Sequence, residues 1–119
     1  MNRFLHGLRL ALSDAGAKGF CMKKLEVRKM ELGPIGTNAY LLWEEGGDEA
    51  VLVDAPPSCN HEIEPLLERH ELTLKEIWLT HGHWDHMAGG SELVRDGVAV
   101  LGHKADKMLF EQPSVMATF

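Results

Sequence analysis

The stretch "AVLVDAPPS", residues 50–58, constrains the fold of this chain more than any other. It opens as a continuous apolar run, the mark of a strand covered on both faces. The run ends at Asp54, and the two prolines of the "PPS" that follows lack backbone donors, so the chain must leave any sheet there. Such a strand needs neighbours beside it and material above and below it. Upstream, "KLEVRKMEL" alternates imperfectly through Leu25, Val27, Met30 and Leu32 and stops at the turn cluster "GPIG". "NAYLLWEE" reads as the next strand, and "EEGGDE" is a polar turn. The three strands with short connections predict an antiparallel meander that ends at Asp54.

Beyond it the period changes. "SCNHEIEPLLERHEL" places Ile63, Leu66 and Leu67 on one helical face, with Ser58 or Asn60 as the candidate cap. Pro65 is awkward in a helix interior, so the first turn is expected near Ile63 or Glu64. "LKEIWLT" predicts a short strand that runs into a polar loop. "GGSELVRDG" predicts a brief helix, "VAVLG" another buried strand, and "HKADKMLFEQ" a last helical turn or two. There is no internal repeat and no low-complexity segment. The order from Leu25 is β-β-β-α-β-loop-α-β-α, an α/β arrangement.

Composition narrows the function classes. With 119 residues the chain is one small domain, and its net charge of −6 argues against a nucleic-acid partner held by a basic surface. No window approaches the ~20 apolar residues of a spanning helix, so no membrane partner is expected. Two cysteines, Cys21 and Cys59, do not make a disulfide framework, and a reducing cytoplasm is the expected location. Cys59 lacks the surroundings of a nucleophile and is expected to be a buried or idle thiol. Residues 1–21 carry a short, weak helical stripe (Phe4, Leu8, Ala11, Leu12, Ala15) and are expected to lie outside the fold, as an extension ahead of Met22.

The chemistry sits in "LTHGHWDH", residues 79–86, where three histidines and an aspartate follow the apolar lead-in directly. In an extended segment, residues two apart point the same way, so His81 and His83 can converge on one point. Gly82 between them lets the backbone approach closely. Asp85 and His86 are adjacent and would turn toward a second point. Imidazole nitrogen and carboxylate oxygen are the usual partners of zinc. Two metals about 3.5–4 Å apart can polarise a carbonyl or phosphoryl oxygen while activating water. The residue types and spacing therefore suit a two-metal hydrolytic centre. The remaining histidines do not extend it. His61 and His70 fall on the polar face of their helix, His103 is placed to cap a turn or face solvent, and His6 is in the leader. Trp84, between the candidate ligands, suits either packing or the mouth of a substrate site.

"THGHWDHMAGG" resembles the H-x-H-x-D-H signature of the metallo-β-lactamase fold superfamily. Its flanks, "GPIGTNAYLLWEE", "AVLVDAPPS" and "IWLTHGHWDH", are similar to the hydroxyacylglutathione hydrolase (glyoxalase II-like) branch of thioesterases. The resemblance implies first-metal ligands at His81 and His83. It implies second-metal ligands at Asp85 and His86, with Asp85 also the catalytic candidate. It implies a supporting aspartate at Asp54 and supporting polar positions at Asn38 and Thr80. It implies two zinc sites in the complete enzyme, iron or manganese being possible substitutes, and a small-molecule substrate.

The family's αββα sandwich has a second half that carries further ligands and a second sheet. Residues 22–119 are thus expected to form a partial metallo-β-lactamase-like domain, the N-terminal half of that sandwich. The expected function is metal-dependent thioester hydrolysis in the complete form. The alternatives are a non-catalytic or weakly metal-binding fragment, or one half of a split enzyme. The expected partner of the exposed sheet is a C-terminal half or a homo-oligomer.

Overall fold

The computed structural model describes residues 23–112 apart from residue 96. The helical stripe expected within residues 1–21 lies outside the described residues. Five strands form one mixed sheet in chain order: β1 (Leu25–Leu32), β2 (Thr37–Glu44), β3 (Glu49–Val53), β4 (Thr73–Trp78) and β5 (Ala99–Leu101). The first three are the antiparallel meander read from the sequence, and β4 and β5 add parallel to β3. The parallel pairing needs a crossover, which α1 (Asn60–Arg69) provides.

The core runs across the middle of the sheet. Register places Leu41 of β2 opposite Leu52 of β3, and Leu52 opposite Ile77 of β4. All three are fully buried, as are Ile63 of α1 and Ala55. Each large aliphatic residue buried in this way contributes roughly 1.5–3 kcal/mol. The continuous run in β3 is covered as its sequence requires, with Ala50, Val51 and Leu52 all at 0% exposure.

The structure differs from the sequence reading in three places. The α1 helix begins at Asn60, not at Ile63, and neither Ser58 nor Asn60 caps it; the boundary residue is Cys59, with no side-chain cap. Pro65 therefore lies inside the helix. It is tolerated because Pro65 and His61, whose carbonyl it leaves without an intrahelical donor, are both exposed and open to water. The polar loop after β4 contains a helical turn, α2 (Trp84–Met87), followed by α3 (Gly90–Leu93). The expected buried strand "VAVLG" is instead a three-residue strand, β5, with Ala99 exposed and Val100 46% exposed. Among the described residues it pairs with β4 alone, and an apolar run at a sheet edge lacks the cover that β3 receives. A 3₁₀ turn (Lys104–Asp106) and α4 (Lys107–Glu111) close the described chain. Among the described residues no helix is long and apolar enough to cross a membrane.

Two features of this topology place the site. The carboxyl ends of the parallel strands β3 and β4 lie side by side, the position at which open α/β sheets gather functional groups. Because β2 runs antiparallel to β3, its first residue, Thr37, arrives at the same end.

Candidate functional site

Asp54 follows β3 directly and is 3% exposed. Its backbone takes φ = 63°, the left-handed region that L residues other than Asn and Asp avoid. Its N–H still donates to Trp78 O at 2.9 Å, so the ladder to β4 continues through the turn. The side chain becomes a hub. Asp54 Oδ1 accepts from Thr80 N at 2.8 Å, Thr80 Oγ1 lies 3.0 Å from Oδ1 and 2.8 Å from Oδ2, and His86 Nδ1 is 2.8 Å from Oδ2.

The histidines meet above this carboxylate. The ring centroids of His81 and His83 are 4.5 Å apart, edge to face, and those of His81 and His86 are 3.9 Å apart. His81 Nδ1 is 2.9 Å from Thr80 Oγ1. Burial, and then the charges that protonated His86 and His83 would set beside it, push His81 below the usual histidine pKa. Neutral imidazole is the form that ligates metals. Gly82 is a close-approach residue, but what approaches is protein. A Cβ there would strike Leu109 of α4, and its N–H donates to Asp106 Oδ2 at 3.2 Å. The segment carrying His81 and His83 is thus braced from behind by the last helix.

The residues from the α2 turn complete the cluster. Asp85 Oδ2 accepts from Thr37 Oγ1 at 2.7 Å and stands 3.3 Å from His86 Nε2. Two ligands held about 2.0–2.2 Å from a tetrahedral ion are themselves roughly 3.3–3.5 Å apart. The Asp85–His86 pair therefore has the spacing of one edge of a metal polyhedron, and its donor atoms suit zinc. Among the described residues, no group of three or more His, Cys, Asp or Glu side chains is arranged to hold a metal ion. The fit is that of a partial donor set.

Of the positions singled out in the sequence, His81, His83, Asp85, His86, Asp54 and Thr80 come together. Asn38 does not join them; it is exposed, in register with Glu31 on β1. Its neighbour Thr37, 6% exposed, is the β2 residue that reaches the cluster. The signal for Thr37 was in the alternation, since Thr37 shares a strand face with the buried Ala39 and Leu41 while Asn38 points the other way. Asp106, which braces Gly82, had no such signal. His61 and His70 are exposed, and His103 Nδ1 accepts from Ala105 N at 3.1 Å, capping the 3₁₀ turn. Trp84, between His83 and Asp85, is 44% exposed.

Cys59 plays no part in this chemistry. It is 1% exposed, and burial, reinforced by the Glu92 carboxylate, pushes its thiol up to about 11. At pH 8 roughly one Cys59 in a thousand is then thiolate, against about one in ten at a pKa of 9. Alkylation of Cys59 by iodoacetamide at pH 8, followed on its peptide by mass spectrometry, is expected to run at least ~100-fold slower than for a free cysteine. Modification at the free rate in the folded chain would contradict this.

The metallo-beta-lactamase superfamily model matches residues 32–118. The hydroxyacylglutathione hydrolase of Ruegeria pomeroyi is 40% identical over 70 residues, which cover 57% of this chain and 26% of that protein. The hydroxyacylglutathione hydrolase-like protein of Homo sapiens is 45% identical over 74 residues, covering 60% of this chain and 24% of that protein. This chain thus spans about a quarter of the length of those two relatives. Among solved structures, BLEG-1 B3 metallo-beta-lactamase superposes with a TM-score of 0.63 at 36% identity, over 75% of this chain and 42% of that one. ETHE1 from Myxococcus xanthus superposes with a TM-score of 0.55 at 28% identity, over 66% of this chain and 36% of that one.

Proposed function

The chain belongs to the metallo-beta-lactamase superfamily, and we propose that it contributes part of a zinc centre for the hydrolysis of glutathione thioesters. In this reading His81 and His83 hold a first zinc ion, and Asp85 and His86 a second. Asp85 also lies next to the reacting centre as the catalytic carboxylate. Iron or manganese could replace zinc on the same donors. When bound, the metal supplies Lewis acidity, polarising the thioester carbonyl and acidifying water. The protein's own groups do the placing. Asp54 and Thr80 orient the rings, Thr37 holds the Asp85 carboxylate, and α4 supports the ligand segment. The observation that carries the reading is the 3.3 Å separation of Asp85 Oδ2 and His86 Nε2 beside the paired rings of His81 and His83. The thioester class is supported by the hydroxyacylglutathione hydrolases that the chain resembles.

Catalytic zinc takes three protein ligands and leaves one position open. The two described pairs fall short of that, so the chain alone is proposed to bind zinc weakly and to place the reacting groups loosely. A misplacement of ~1 Å can cost about a hundredfold in rate. The test joins this chain to the part of the Ruegeria pomeroyi enzyme outside the matched segment, and compares the joined protein with the chain alone. Metal content is measured after dialysis against a mild chelator, and hydrolysis with a glutathione thioester. The chain alone is expected to retain fewer than two zinc ions and to show little turnover. The joined protein is expected to hydrolyse the thioester in a zinc-dependent manner and to lose that activity on His83→Ala. A zinc-loaded joined protein inert toward thioesters would overturn the substrate assignment. Rapid zinc-dependent turnover by the chain alone would overturn the incompleteness of its site.

A further inference from the structure

Thr80 Oγ1 touches three acceptor-capable atoms: Asp54 Oδ2 at 2.8 Å, Asp54 Oδ1 at 3.0 Å and His81 Nδ1 at 2.9 Å. A hydroxyl has one hydrogen to donate, and a carboxylate can only accept. The single Thr80 hydrogen must therefore point at Asp54. His81 Nδ1 can then meet Thr80 Oγ1 only as a donor, which puts the ring hydrogen of His81 on Nδ1. His86 follows by the shorter route, since its Nδ1 faces Asp54 Oδ2 at 2.8 Å and must donate to it. The bond from Thr80 N to Oδ1, at 2.8 Å, keeps the carboxylate from turning away from either task.

We infer that Asp54 and Thr80 are positioning residues that impose one tautomer on two histidines, Asp54 acting on His86 directly and on His81 through the Thr80 hydroxyl. Both rings then carry hydrogen on Nδ1 and present a bare Nε2. A ring nitrogen fixed in this way is what metal-ligating histidines require of their surroundings. Under the zinc reading above, on which this consequence rests, His81 and His86 serve different metal positions. One buried carboxylate thus prepares both, and the Thr80 hydroxyl is the branch that reaches the first.

Nitrogen-15 NMR of the metal-free 119-residue chain, at a pH where its imidazoles are neutral, reads which nitrogen of each ring is protonated. In the wild-type chain both His81 and His86 are expected to be protonated on Nδ1. Thr80→Val removes the hydroxyl at nearly constant shape. It should release His81 from the Nδ1–H form, leave His86 unchanged and weaken zinc binding about tenfold. Thr80→Ser should restore His81 and the zinc affinity. A wild-type His81 protonated on Nε2 overturns the inference, as does an unaltered His81 signal in folded Thr80→Val. Should Thr80→Val fail to fold, the wild-type and Thr80→Ser signals decide by themselves. The expected tautomers in the chain, with no zinc taken up by the joined protein, would sink the zinc reading and leave this inference standing. Zinc bound by a chain with the opposite tautomers would do the reverse.

Discussion

Gly89→Ala is expected to destabilise the fold by about 4 kcal/mol, while Gly90→Ala, one residue later, leaves it nearly unchanged. Backbone conformation does not distinguish them in advance, for Gly89 has φ = −83° and ψ = −6°, which alanine adopts freely. On that ground alone alanine would stabilise by about 0.4–1 kcal/mol through the unfolded chain. Space decides the opposite. A Cβ at Gly89 would overlap the Pro56 carbonyl oxygen and lie 2.8 Å from Cys59 Sγ, whereas at Gly90 its nearest neighbour is Ala55 Cβ at 3.9 Å. The obstructing atom is backbone, so relief requires moving the corner that leads from Asp54 into α1. That corner is sewn to the segment carrying the candidate ligands by Gly89 N donating to Ala55 O at 2.8 Å and Ala55 N donating to His86 O at 2.7 Å. Overpacking costs about 1–3 kcal/mol and each lost bond about 1, against a total stability of roughly 5–15 kcal/mol. The melting temperature of Gly89→Ala should fall by about 15–30 °C, at ~4–8 °C per kcal/mol. A melt within a few degrees of wild type would show that the corner yields easily.

What the sequence discloses of this molecule follows periodicity and local chemistry. The run in β3 and the imperfect alternation of β1 are one-dimensional signals, and with "NAYLLWEE" between them they placed the antiparallel meander correctly. The cluster after β4 is legible for a similar reason, since His81, His83, Asp85 and His86 come from one short stretch. What stayed hidden depends on elements meeting. Thr37 reaches Asp85 across 48 positions of sequence, only because β2 is antiparallel to β3. Gly89 is an ordinary helical-region glycine until Pro56 lies against it. The exposure of β5 could not be read from "VAVLG", because an apolar triplet does not say whether it is an edge. Asp54 was visible as the end of a strand, but the left-handed turn that aims its carboxylate at both Thr80 and His86 was not.

That turn gives Asp54 two separable contributions, and three substitutions resolve them. Asp54→Ala loses the acceptors of His86 Nδ1, Thr80 N and Thr80 Oγ1, and forces alanine to φ = 63°. Hydrogen bonds to a charged group are worth about 1.5–3 kcal/mol, but Thr80 is exposed and water can replace part of that loss. The left-handed backbone adds about 1–2 kcal/mol for alanine. The expected loss is about 3–4 kcal/mol in urea unfolding. Asp54→Gly removes the same bonds without the strain, so it should recover roughly 1 kcal/mol of this. Asp54→Asn keeps a side chain that tolerates the left-handed region and one acceptor oxygen, and should be the mildest of the three, at about 1 kcal/mol. Glycine no more stable than alanine would remove strain from the account, and asparagine as damaging as alanine would remove the hydrogen bonds. The asparagine variant then separates fold from site. With its oxygen kept on Thr80 N, its amide NH₂ faces His86 Nδ1, which must turn acceptor and carry its hydrogen on Nε2. That hydrogen would point at Asp85 Oδ2, filling the 3.3 Å gap proposed for a metal ion. Asp54→Asn should therefore fold nearly as well as the wild-type chain and bind zinc at least ~10-fold more weakly.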